Sequence, residues 1–81
     1  VNLPSVKEPR TTQYRICLIH KNVPNMLAQF ATILANKHIN IENMVNKAKG
    51  EYAYTMIDTQ DIAGLEELET LENVIRVRVI K

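Results

Sequence analysis

Tyr14-Arg15-Ile16-Cys17-Leu18-Ile19-His20 is followed, after Lys21 and Asn22, by Val23-Pro24-Asn25-Met26-Leu27-Ala28-Gln29-Phe30. Within these residues the apolar period changes from strand-like to helical. Ile16 and Leu18 fall on one face of the first segment and Cys17 and Ile19 on the other, the signature of a strand central in its sheet. The second segment continues to Lys37, with Met26, Leu27, Phe30, Ile33 and Leu34 at helical spacing. Gln29, Thr32 and Asn36 form its wet face, and Pro24 suits a first helical turn. The spacing predicts a helix over Val23 to Lys37 that packs on the sheet.

Working outward, Ile39 to Lys49 reads as a second strand, with Ile39, Ile41 and Val45 facing one way. Lys49-Gly50-Glu51 reads as a turn and Tyr52 to Thr59 as a third strand rich in β-formers. Asp61 is placed to cap a short helix carrying Ile62, Leu65, Leu68 and Leu71, with Gly64 in its first turn. Val74 to Ile80 alternates, which predicts Ile75, Val77 and Val79 inward and Arg76 and Arg78 outward. The order strand, helix, strand, strand, helix, strand predicts an α+β, ferredoxin-like βαββαβ sandwich. One four-stranded antiparallel sheet then carries two helices on one face, with the first and third strands central. Residues 1–13 hold Pro4 and Pro9 and no apolar period, and read as a linker or tail from an upstream domain; residues 14–81 form the domain.

With 81 residues the chain makes one small domain, which disfavours a deep catalytic cavity inside one copy. It begins at Val1 and is read as a piece of something longer. One cysteine fits a reducing, cytoplasmic setting, and no apolar run is long enough for a membrane span. No nucleophile–base pair, metal-ligand spacing or phosphate-binding glycine loop is present, so no catalytic or metal residues are assigned. Val1 to Lys49 holds seven basic and two acidic residues, and Gly50 to Lys81 three basic and seven acidic.

His20, Asn22 and Asn25 crowd the junction of the first strand and first helix, with Met26 beginning the helical stripe. A helix N-terminus offers unpaired N–H groups and a positive dipole end, which suit a carboxylate or phosphate. The same residues also fit a plain structural role, with Asn22 as helix cap and His20 as a solvated strand end. Asn40, between Ile39 and Ile41, is unusual at a strand entrance, though it also suits a turn. Lys49-Gly50-Glu51-Tyr52-Ala53-Tyr54 partly matches the aromatic motif of RNA-recognition domains, with one residue skipped. Glu51, a first strand with no inner aromatic beyond Tyr14, and a near-zero net charge stand against that match, which leaves a small RNA-binding domain only as a further alternative. A nucleic-acid footprint needs basic residues gathered on one surface, so no nucleic-acid partner is expected.

Ile19-His20-Lys21-Asn22-Val23-Pro24-Asn25-Met26-Leu27, Ile39-Asn40-Ile41 and Glu51-Tyr52-Ala53-Tyr54-Thr55-Met56-Ile57-Asp58 resemble an ACT domain. The match is to the C-terminal regulatory ACT domains of D-3-phosphoglycerate dehydrogenases, over Tyr14 to Lys81. Val1-Asn2-Leu3-Pro4 is similar to the segment entering such domains. The resemblance implies allosteric regulation of serine biosynthesis, with two domains paired through the second strand and first helix and L-serine bound at the seam. It implies ligand contacts from His20, Asn22 and Asn40, alongside Asn25 and Met26 at the helix start. It implies no cofactor in this domain, and NAD and the catalytic residues in other domains of a parent oxidoreductase. Where most such domains have glycine after the proline, this chain has Asn25. A purely structural oligomerisation module is the alternative that this departure leaves open.

Overall fold

The computed structural model describes residues 13–81. The linker expected over 1–13 therefore lies, but for its last residue, outside the described residues. Strand β1 (Tyr14–Lys21) is flanked on both sides, as its two apolar faces require. Its neighbours are β3 (Tyr52–Thr59) and β4 (Val74–Ile80), both antiparallel, and β2 (Ile41–Lys49) completes the order β2-β3-β1-β4. Helices α1 (Met26–Asn36) and α2 (Leu65–Thr70) cover one face. The predicted βαββαβ architecture and strand order hold. Ile16, Leu18 and Ile57 from the sheet meet Phe30, Leu34 and Leu68 from the helices, all six fully buried.

Element boundaries differ from the sequence pattern for identifiable reasons. Helix α1 begins at Met26 rather than Val23, because Asn25 takes a left-handed conformation at φ 72° and breaks the helical path. Pro24 lies in the preceding turn, and the residue before a proline is held extended. At the other end, His38 at φ 61° closes a Schellman motif. The Ile39 amide donates to the Leu34 carbonyl (3.0 Å) and the His38 amide to that of Ala35 (2.9 Å). Ile39 thereby plugs the core beneath the helix end, and β2 starts two residues later than expected.

A bulge in β2 reverses the predicted facing of its later side chains, and one in β4 displaces Ile75 while Val77 and Val79 stay inward and Arg76 and Arg78 outward as expected. Ile41 pairs with Thr59 but Asn43 with Asp58, so Glu42 is an extra residue. Past it, Met44 faces the core opposite Ile57, and Val45 faces outward opposite Met56. In β4, Arg76 pairs with Ile19 and Val74 with His20, which leaves Ile75 as the extra residue. Ile75 is therefore 56% exposed rather than buried, and Val74 packs on the core in its place. Helix α2 starts at Leu65, not at Asp61. Gly64, at φ 75°, is its N-cap, and an added Cβ would stand 3.3 Å from Ile33 Cγ2 on α1. The Asp61 carbonyl accepts the Thr59 hydroxyl at 2.6 Å.

The face of the sheet away from the helices carries a two-pronged ion pair. Arg15 Nε and Nη2 donate to Asp58 Oδ1 and Oδ2 at 2.7 and 3.0 Å, directly across β1 and β3. Further along this face, partial burial and the nearby Cys17 thiol push the Tyr54 phenol up to about 12.

Two outcomes follow. Phe30→Ala should lower unfolding free energy by ~3–5 kcal/mol, whereas Ile75→Ala should change it by well under ~1 kcal/mol, both read by denaturant unfolding. A phenolate absorbance titration should show a component near pH 12 that Tyr54→Phe removes. Because the folded phenol holds its proton longer than an ordinary tyrosine, its contribution to stability is complete below about pH 10 and disappears as pH rises to 12.

Candidate functional site

The end of β1 and the start of α1 meet at a cleft of about 200 Å³, lined by His20, Asn22, Asn25, Met26 and Asn46 among others. The chain between them is tied down by its backbone. The Lys21 amide donates to the Asn73 carbonyl and the Asn22 amide to that of Glu51, both at 2.8 Å. Asn22 does not cap the helix. Its Nδ2 donates to the Gly50 carbonyl at 3.2 Å, which pins the β2–β3 turn beside the cleft that Asn22 lines. The first helical bond of α1 runs from the Gln29 amide to the Asn25 carbonyl. The N–H groups of Met26, Leu27 and Ala28 thus have no acceptor within the helix. No acidic residue occupies the first turn, and no side chain caps it. The positive end of the helix is left for an anionic group.

His20 is not a solvated strand end; it is 2% exposed. Phe30 meets its ring edge-on, with centroids 5.1 Å apart. Nδ1 lies 2.9 Å from the Lys21 carbonyl, and Nε2 lies 2.8 Å from Thr55 Oγ1. Thr55 Oγ1 in turn donates to Asn46 Oδ1 at 2.8 Å. This chain has a strict proton account. A carbonyl only accepts, so Nδ1 carries hydrogen. A hydroxyl has one hydrogen, so while Thr55 donates to Asn46, Nε2 must also be protonated and the ring cationic. A neutral ring requires Thr55 to donate to Nε2, and Asn46 must then turn its amide and present NH₂ to Thr55. The charge on His20 and the orientation of Asn46 are therefore linked.

Four of the sequence-predicted residues, His20, Asn22, Asn25 and Met26, gather here. Asn40 does not. It precedes Ile41, whose β3 partner Thr59 pairs with Tyr14, whereas His20 pairs with Ala53. Six residues of strand, roughly 20 Å, separate the two ends within one chain. Asn46 and Thr55 belong to the site without having been singled out. The Glu42 bulge turns Asn46 inward, and Thr55 shares the inner face of β3 with Ile57. Among the described residues, no three His, Cys, Asp or Glu side chains come together as a metal site, and no helix is long and apolar enough to cross a membrane.

No protein-family model and no curated sequence matches the chain. Solved structures do. The crystal structure of the ACT domain from GTP pyrophosphokinase of Chlorobium tepidum aligns at TM-score 0.61 and 19% identity, over 83% of this chain and 95% of that one. Its solution structure aligns at 0.59 and 19%, over 83% of each chain. The ligand-free regulatory subunit of aspartate kinase from Thermus thermophilus aligns at 0.59 and 18%, over 83% of this chain and half of that one. The fold is that of ACT domains.

Thr55→Val keeps the shape of the side chain and removes its hydroxyl, so His20 Nε2 and Asn46 lose their shared partner. Stability should fall by ~1–3 kcal/mol. Nitrogen NMR of the ring should show Nδ1 protonated in both charge states; a neutral ring protonated on Nε2 would refute the proton account.

Proposed function

We propose that this chain is an amino-acid-sensing ACT domain, with L-serine as ligand, from a cytoplasmic NAD-dependent D-3-phosphoglycerate dehydrogenase. The observation that supports it is the cleft at the start of α1, open, free of acidic residues and lined by amide side chains. The serine carboxylate would take the N–H groups of residues 26–28. Its ammonium would take Asn22 Oδ1 and, when turned toward the cleft, Asn46 Oδ1. A volume near 200 Å³ suits a small polar molecule better than a drug-sized ligand.

Two copies would pair through β2 and α1. β2 is an edge strand, so one of its hydrogen-bonding rims is unpaired within the chain. Asn40 is out of reach of His20 in its own chain, and a second copy would be the source of such a contact. Asn40 of the partner subunit would then close the ligand site, and binding would tighten the seam. Linkage of this type couples sites by typically ~1–3 kcal/mol. The catalytic residues and NAD would belong to other domains of the parent enzyme.

A structural pairing module is the second reading, and Asn25 favours it. A side chain stands where the resembling domains have glycine, beside the helix start that would hold the carboxylate.

Titration calorimetry with sedimentation separates the two. A sensor gives saturable heat with L-serine, and Asn22→Ala or Asn40→Ala weakens it roughly ten-fold or more. Asn25→Gly should tighten it. No heat at millimolar serine from a confirmed pair leaves the structural module.

A further inference from the structure

The sheet face opposite the helices gathers five of the described lysines and arginines in a pattern that total charge conceals. The strand register sets them in rows. Tyr52 stands between Lys49 and Lys21. The next row is Lys47, Tyr54, Ile19 and Arg76, and the one after it Val45, Met56, Cys17 and Arg78. Tyr52 is 50% and Tyr54 40% exposed, and Ile19 is 37% exposed between them and β4. All five of these lysines and arginines are exposed, and among the described residues none is in an ion pair. Asp58 on this face is neutralised by Arg15, exposed Glu42 is the bulged residue of β2 beside it, and Glu51 sits beside the face in the β2–β3 turn. A small depression bordered by Cys17, Ile19, Tyr54, Arg76 and Arg78 opens on this face. Glu66, Glu67, Glu69 and Glu72 lie instead in or just after α2, in the helical layer.

We propose that this sheet face binds single-stranded RNA, with Tyr52 and Tyr54 as stacking platforms and Lys21, Lys47, Lys49, Arg76 and Arg78 on the phosphates. The sequence pattern called for basic residues on one surface before a nucleic-acid partner could be entertained, and the fold supplies that surface. Two features point to a nucleic acid rather than an acidic protein. Exposed aromatic rings sit in successive rows on a central strand, where unstacked bases could lie flat on them. The cations flank those rings on both sides, where a backbone crossing the sheet would carry its charges. A flat open face also suits a single strand, whose bases are free to stack, better than a duplex.

The test is fluorescence anisotropy of a short labelled oligouridine with the whole chain, across a salt series. Binding should weaken as salt rises, by about 0.7 in log affinity per contacted phosphate for each decade of salt. Arg76→Gln with Arg78→Gln should reduce that slope by about 1.4. Tyr52→Ala or Tyr54→Ala should cost roughly five-fold or more, and Tyr54→Phe should retain binding. Circular dichroism confirms that each variant is folded. No anisotropy change at low salt overturns the proposal. So does undiminished binding by both folded tyrosine-to-alanine variants with equal competition from polyglutamate, which would mark a general acceptor of acidic surfaces. Serine calorimetry reads the α1 cleft on the opposite face, so failure of either experiment leaves the other intact.

Discussion

Everything in this domain is arranged around the burial of β1 on both sides and along its inner face. Ile16, Leu18 and His20 point into the helical layer and none exceeds 2% exposure. β3 and β4 satisfy its backbone on either edge. A histidine so placed must find partners inside the protein, and the cost of failing to do so is of the order of ~1–3 kcal/mol. Thr55 meets that need from β3, and Asn46 meets the need of Thr55 from β2. The requirement to satisfy one imidazole thus fixes which polar side chains stand at the end of the sheet beneath α1. It is also what puts an amide on the wall of the cleft.

Much of the architecture was legible because long segments kept one period. The alternation in β1 and the helical stripe from Met26 to Leu34 each named their element and their inner face. What was not legible came from single residues that break a period. Glu42 and Ile75 each add one residue to an edge strand: past Glu42 the side chains of β2 change face, whereas in β4 Val77 and Val79 stay inward and Arg76 and Arg78 outward as expected, and only Ile75 is displaced. Val45 and Ile75 were therefore expected inside and lie outside. His38 and Asn25 take left-handed backbone, which ends α1 cleanly and delays its start. Neither residue type demands that conformation, so the pattern alone could not place it.

The candidate site was legible to the same extent. Residues local to the β1–α1 junction came out together, because sequence neighbours at a strand–helix turn are neighbours in space. Asn46 and Thr55 were missed because their membership depends on pairing between strands and on the parity set by Glu42. Asn40 shares a motif with the others but not a place in the single chain. A motif records which residues are used; it does not say that one copy of the chain supplies them all.

The two layers also differ in sign. Lysines and arginines populate the open side of the sheet, and glutamates the short helix on the other side, within a body whose smallest extent is 17 Å. Opposite charge on opposite sides gives a nearly neutral molecule a permanent electric dipole directed through its thickness. Such a body feels torque before it feels net attraction. A polyanion approaching in solution would rotate it sheet-first, and a polycation would rotate it helix-first. That torque fades once salt shortens the screening length to about 8–10 Å, comparable with half the thickness of the domain.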